Sequence, residues 1–147
     1  MKRQQILFAS FWVILSIGII NFLGCKYYLY WTYRWLDIPV HIVAGAGVAL
    51  ATLWFLTFFE RFLTINRYKT KILFAVLVVI LFVGIIWELF ELWGGITYLD
   101  DHGYRFDTIK DLVDDTIGAM IVYGFFIKRK KCKVGLDCLP DIKDKKI

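Results

Sequence analysis

The sequence predicts an all-α polytopic membrane protein, a bundle of about four transmembrane helices with both termini in the cytoplasm. Of its 147 residues, 59% are hydrophobic and 18% aromatic, and the mean hydropathy is +0.61. A water-soluble domain of this size cannot bury so much apolar surface. The apolar residues also fall into long runs, with most charged residues gathered between them. Together these observations point to a bilayer as the solvent.

The first apolar run covers residues 4–25 and contains no charged side chain. At 1.5 Å per residue, about 22 residues are enough to cross a hydrocarbon core. Residues 26–36 then read KYYLYWTYRWL, which is typical of a membrane interface because Tyr and Trp combine an apolar ring with a polar tip. Lys2 and Arg3 ahead of an apolar run also resemble the start of a signal peptide. Cleavage or lipidation at Cys25 therefore stays open beside an uncleaved anchor.

Three further helices follow from the same reasoning. Residues 38–59 provide a second span, and Asp37 is predicted to be its N-cap. Residues 72–93 provide a third span, which two glutamates interrupt and a Gly-Gly pair ends. Residues 108–127 provide the fourth, which Asp107 is predicted to cap and which four consecutive basic residues end.

Lys and Arg are distributed unevenly between the two sides of this bundle. Roughly 14 of them fall on the side of the termini and the middle loop, and 4 on the other side. The positive-inside rule therefore places both termini in the cytoplasm. Residues 1–131 form the predicted membrane domain, and residues 132–147 form a polar tail that we expect to be mobile. The basic segments suit contact with anionic lipid and not with nucleic acid.

Polar residues and glycines share one face on each of the last three predicted helices. They recur at spacings of four, or of four, three and four, which is one face of a helix. At 1.5 Å per residue, His41, Glu88 and Asp111 lie about 6–9 Å inside the predicted outer end of their helices, at a common depth, and Asp115 lies about 12 Å inside. The predicted cluster is His41, Glu88, Asp111 and Asp115, with Asp37, Glu91, Asp107 and Asp114 as supporting residues.

Burying four ionised groups at that depth would cost roughly 10 kcal/mol without compensation. Shared protons, basic side chains, water or a bound cation would each supply that compensation. Arg105 and Lys110 either neutralise the neighbouring acids or bind an anionic head group, and the sequence leaves both interpretations open. Carboxylates with one imidazole suit a divalent cation such as Mg²⁺, Mn²⁺ or Zn²⁺.

The motifs of this cluster also resemble a known family. They are DIPVH at residues 37–41, WELFE at 87–91 and RFDTIKDLVDDTIG at 105–118. In this order they resemble the VanZ-like superfamily of small bacterial membrane proteins, and the last two look closest to its YjdF (DUF2238) branch. The resemblance implies a multi-pass protein of a bacterial plasma membrane with a role at the cell envelope. VanZ proteins typically carry Gln at the position of Glu91 and Asn at that of Asp115, so this chain is more acidic than their pattern.

Three functions from different classes are compatible with these features. The first is a metal-dependent enzyme acting on a lipid or lipid-linked head group at the outer face. The second is a proton-coupled transporter or channel-like protein, which at this length would be a homo-oligomer. The third is a non-catalytic envelope or assembly protein in which the cluster holds the helices together. The sequence contains no HExxH motif that would favour the first.

Overall fold

The computed structural model describes residues 3–57, 65–97 and 104–133, and within these ranges the chain is helical with no strand. The predicted all-α membrane bundle is thereby confirmed. Two short helical elements link the first two long helices. The elements are α1 (Arg3–Lys26), α2 (Leu29–Thr32), a 3₁₀ turn (Arg34–Leu36), α3 (Asp37–Leu56), α4 (Ile65–Trp93) and α5 (Tyr104–Lys133).

The helices differ from the predicted spans mainly where charged residues flank them. The helix predicted from residue 72 already begins at Ile65, and the one predicted over 108–127 runs from Tyr104 to Lys133. Lys and Arg are good helix formers, so a helix rich in them can continue past the hydrocarbon into water. A hydropathy boundary therefore marks the edge of the apolar core and not the end of the helix. Most of the predicted tail, residues 132–147, lies outside the described residues.

Both predicted N-caps are wrong. The 3₁₀ turn runs directly into α3, so Leu36 is the N-cap and makes no side-chain capping bond, while Asp37 is already helical. Asp107 lies within the first turn of α5, because that helix begins earlier, at Tyr104. An N-cap needs a non-helical backbone, and neither aspartate has one. Their carboxylates are therefore available for contacts with other helices.

The centre of the bundle is α3, which packs against α1, α4 and most extensively against α5. The backbones of α3 and α5 touch where two glycines meet. A Cβ at Gly45 would overlap the carbonyl oxygen of Asp115, and a Cβ at Gly118 would overlap that of Ile42. Small residues allow this approach in membrane bundles. Beyond the crossing, toward the C-terminal end of α3, lies an apolar core of Ala49, Leu53, Ile72, Val76, Ile80 and Ala119.

The outer surface of the bundle is apolar, as expected for contact with lipid. Among the described residues, three segments are long and apolar enough to cross a membrane, namely Gln4–Lys26, Arg34–Leu56 and Lys69–Trp93. The last long helix of the described residues, α5, buries three of its acids, Asp111, Asp114 and Asp115, whereas Asp107 near its start is exposed. Farther along the helix its outward face is apolar. Exposed side chains on α5 include Ile109, Val113, Ile117, Ile121 and Phe125. The protein is therefore a multi-pass membrane protein.

The orientation of the bundle can be tested with its tail cysteines. If the positive-inside rule holds, a membrane-impermeant maleimide added to right-side-out vesicles will leave Cys132 and Cys138 unlabelled until detergent opens the vesicles. The Cys25→Ser variant removes the third of the three cysteines, so the signal reports the tail alone. Full labelling of intact vesicles would show that the tail lies on the outer side and that the predicted topology is wrong.

Candidate metal centre

The close crossing of α3 and α5 brings together the polar stripes of the two helices. His41 lies one turn before Gly45 on α3, and Asp111 and Asp115 lie up to two turns before Gly118 on α5. Because the crossing glycines bring the backbones into contact, the side chains beside them meet across the helix interface. His41 is 7% exposed and Asp111 is 5% exposed. The sequence predicted this stripe on each helix, and the crossing places the two stripes face to face.

Two carboxylates, those of Asp37 and Asp111, lie between two basic groups. Lys110 Nζ donates to Asp37 Oδ2 at 2.7 Å and to Asp111 Oδ1 at 2.6 Å. The other two oxygens face His41: its Nε2 lies 3.5 Å from Asp37 Oδ1 and 3.9 Å from Asp111 Oδ2. Acidic and basic side chains thus alternate around a closed ring of four. Each carboxylate has one oxygen toward the ammonium and one toward the imidazole.

The second nitrogen of His41 faces a third carboxylate. His41 Nδ1 lies 3.4 Å from Asp115 Oδ1, but it is buried and makes no hydrogen bond with any described residue. Asp115 is itself 8% exposed. A carboxylate behind one imidazole nitrogen, with the other nitrogen turned toward oxygen ligands, is the arrangement that orients His in many metal sites.

One group of side chains in the described residues is close enough together to hold a metal ion. Asp37, His41 and Asp111 each offer one ligand atom, and these atoms all lie within 4.8 Å of one another. His41 and Asp111 belong to the predicted cluster, whereas Asp37 was predicted only as a supporting residue. Asp115 stands behind His41 and not within this group. The chemistry of these ligands, oxygen with one imidazole, suits Mg²⁺, Mn²⁺ or Zn²⁺.

The glutamates of α4 have partners of their own. Glu88 is 6% exposed and accepts a hydrogen bond from Thr108 Oγ1 at 2.7 Å. Glu91 accepts one from Trp87 Nε1 at 2.8 Å. Sequence reasoning missed both donors, although the spacing of four between Trp87 and Glu91 was a usable signal. Glu88 thus joins α4 to α5 through Thr108, and it is not one of the three potential ligands.

Asp114 is the remaining acid of the stripe on α5. It is 8% exposed, and its Oδ2 makes no hydrogen bond within the described part of the chain. A buried carboxylate oxygen without a partner is costly. Asp114, predicted only as a supporting residue, is therefore as deeply buried as Asp115.

The two basic residues at the start of α5 differ in their surroundings. The ammonium of Lys110 also lies 3.4 Å from Asp107, so three carboxylates surround it. This geometry favours the interpretation in which Lys110 neutralises its neighbours. Arg105 lies exposed in the first turn of α5. Binding of a head group by either residue stays a prediction.

The aromatic segment between α1 and α3 is anchored beside this site. Tyr30 donates a hydrogen bond to Asn21 Oδ1 at 2.5 Å, and its ring lies directly on Gly24, where a Cβ would be 2.9 Å from Tyr30 Cζ. Burial, with smaller contributions from Cys25 and nearby carboxylates, raises the pKa of Tyr30 to about 12. The phenol therefore remains a neutral donor at physiological pH.

These features define a helical multi-pass membrane protein with a partly buried ring of aspartate, histidine and lysine side chains. The family model described as "Predicted membrane protein (DUF2238)" matches residues 2–131. The chain belongs to the DUF2238 family, as its motifs predicted. Neither a curated protein nor a solved structure matches this chain. The resemblance to the wider VanZ-like superfamily stays a prediction.

Proposed function

We propose that this protein binds one divalent cation within its membrane bundle and uses it to act on a lipid or lipid-linked head group. The observation that carries the proposal is the group of Asp37, His41 and Asp111, whose ligand atoms lie within 4.8 Å of one another. Three protein ligands leave coordination positions open for water and substrate, as catalytic metal sites require. A cation held there would polarise a phosphoryl or carbonyl oxygen and lower the pKa of bound water.

The separations within the group support binding of a cation on the side of His41. Ligand atoms bound at about 2.0–2.2 Å stand roughly 3 Å apart around a metal. The distances of 3.5 and 3.9 Å from His41 Nε2 to the two aspartate oxygens are slightly longer, and all three ligand atoms lie within 4.8 Å of one another, so the ligands would move inward on binding a metal. Asp115 would orient the imidazole through Nδ1 during that movement.

The surroundings of the group support an amphiphilic substrate. The side chains of Asp37 and Lys110 are 25% and 28% exposed, so the site is open on one side. The neighbouring aromatic segment exposes several large rings, including Tyr28, Trp31 and Trp35. Such rings favour the membrane interface, where lipid head groups lie. The predicted role at the cell envelope, implied by the VanZ-like resemblance, is consistent with this substrate class.

Elemental analysis of the purified protein in detergent tests the proposal. After soaking with Mg²⁺, Mn²⁺ or Zn²⁺, the wild type should retain about one equivalent, because the three proposed ligand atoms are close enough together to share one ion. Asp111→Asn and His41→Phe should each lose at least ten-fold in affinity, since each removes a ligand atom.

The matched control is Glu88→Gln, which alters an equally buried acid whose partner is Thr108. This variant should retain the cation. A wild type that binds no metal, or an Asp111→Asn variant that binds it as tightly as the wild type, would refute the proposal.

Proton-coupled transport is a second candidate, and Asp114 favours it. A buried carboxylate oxygen without a hydrogen bond is suited to taking up and releasing a proton. Proton flux into liposomes that Asp114→Asn abolishes, together with an absence of bound metal, would establish this candidate in place of the first. The short chain would then act as a homo-oligomer.

A non-catalytic assembly role is the third candidate. The contacts of Lys110 with Asp37 and Asp111 join α3 to α5, which supports it. A protein that neither binds metal nor moves protons would leave this candidate standing.

A further inference from the structure

The carboxylates of Asp37 and Asp111 each have two oxygens, so the pair could bind a cation on either of two sides. On one side, one oxygen of each contacts Lys110 Nζ at 2.7 and 2.6 Å. On the other side, the remaining oxygen of each faces His41 Nε2 at 3.5 and 3.9 Å. Two carboxylates that bridge two cations in this way are characteristic of two-metal sites, in which the metal ions stand about 3.5–4 Å apart.

We infer that Lys110 takes the second cation position of this carboxylate pair, so that the site holds one free divalent cation beside one tethered ammonium. The inference rests on the proposed binding of a cation by Asp37, His41 and Asp111. It adds that the pair can hold two cations and that Lys110 limits the protein to one.

The short contacts of the ammonium explain why it holds its position. Its distances to both carboxylates are those of charge-assisted hydrogen bonds. Lys110 also precedes Asp111 directly in α5, so its effective concentration at the pair is high without any ion from solution. A free cation would have to displace a group that is always present.

The side of His41 is different, because the two carboxylate oxygens there have no short contact with a basic group. The distances from His41 Nε2 to Asp37 Oδ1 and Asp111 Oδ2, 3.5 and 3.9 Å, are longer than those of ordinary hydrogen bonds. As a metal ligand, imidazole is neutral and brings no positive charge to the two carboxylate oxygens that face it. A solvent cation is therefore expected on this side and an ammonium on the other.

Counting bound Mn²⁺ in the Lys110→Met variant tests the inference. Methionine keeps an unbranched side chain of similar length but has no charge. The wild type should bind one Mn²⁺ and the variant two, and the electron paramagnetic resonance spectrum of the variant should show exchange coupling between adjacent ions. Lys110→Arg keeps the charge and should bind one.

Lys128→Met is the matched control. It removes the same charge from the same helix about 27 Å away along the axis, and it should bind one Mn²⁺. Because Lys110→Met leaves two carboxylates without their cation, it is to be purified in Mn²⁺. Lys110→Gln, which also lacks the charge but keeps a polar side chain, serves if the methionine variant does not fold, and it should likewise bind a second Mn²⁺.

Equal stoichiometries in wild type and variant would overturn the inference. One equivalent of Mn²⁺ in both proteins would still support the proposed cation site, whereas no Mn²⁺ in either would refute the proposed function as well.

Discussion

Replacing Gly118 with alanine is expected to destabilise the bundle by about 3 kcal/mol, the upper end of the usual cost of overpacking. The added methyl group would overlap the carbonyl oxygen of Ile42 and lie 2.9 Å from Ala46 N, and both are backbone atoms that cannot rotate away. The change in free energy of unfolding can be measured by titrating the protein in mild detergent with SDS. Cation affinity should fall as well, because separating α3 from α5 moves His41 away from Asp111.

Gly124→Ala provides the control for this experiment, since it lies on the same helix and has nothing within 4 Å of an added Cβ. It should leave stability unchanged or raise it by about 0.5–1 kcal/mol, because alanine is the better helix former. Equal stability of the two variants would show that the backbones do not touch at Gly118.

Removing Lys110 is expected to have a comparable effect through charge. In EDTA, Lys110→Met should cost about 3 kcal/mol, because it leaves the buried carboxylate of Asp111 and the half-buried one of Asp37 without their ammonium. The Asp111→Asn variant should cost less, because Lys110 keeps its contacts with Asp37 and Asp107. Unfolding by SDS again provides the measurement.

A double-mutant cycle then isolates the interaction between Lys110 and Asp111. The double variant should be more stable than the sum of the single effects predicts, by about 2 kcal/mol, because it removes both charges together. Mn²⁺ should restore stability to Lys110→Met but not to the double variant. Strict additivity would mean that the short contact between Lys110 and Asp111 contributes nothing to folding.

The helices and the stripe of acids could be predicted from the sequence because each depends on a local pattern of residues. A long run of residues without charge indicates a transmembrane span, and polar residues spaced three or four apart lie on one face of a helix. Neither pattern depends on which helix packs against that face. For the same reason the sequence placed His41 and Asp111 at one depth. It placed Glu88 at that depth too, but depth along an axis does not say which residue a side chain meets. The structure pairs Glu88 with Thr108.

The sequence alone determined that this is an all-α membrane protein with buried acids and a histidine near one end of its helices. Only the tertiary structure decided which of them face one another. The crossing of α3 and α5 at Gly45 and Gly118 places Asp37 next to His41 and Asp111, although Asp37 was predicted to be a helix cap. It also places Lys110 between two carboxylates. Such contacts depend on the angle and distance between helices far apart in sequence, and those are set by packing at the interface.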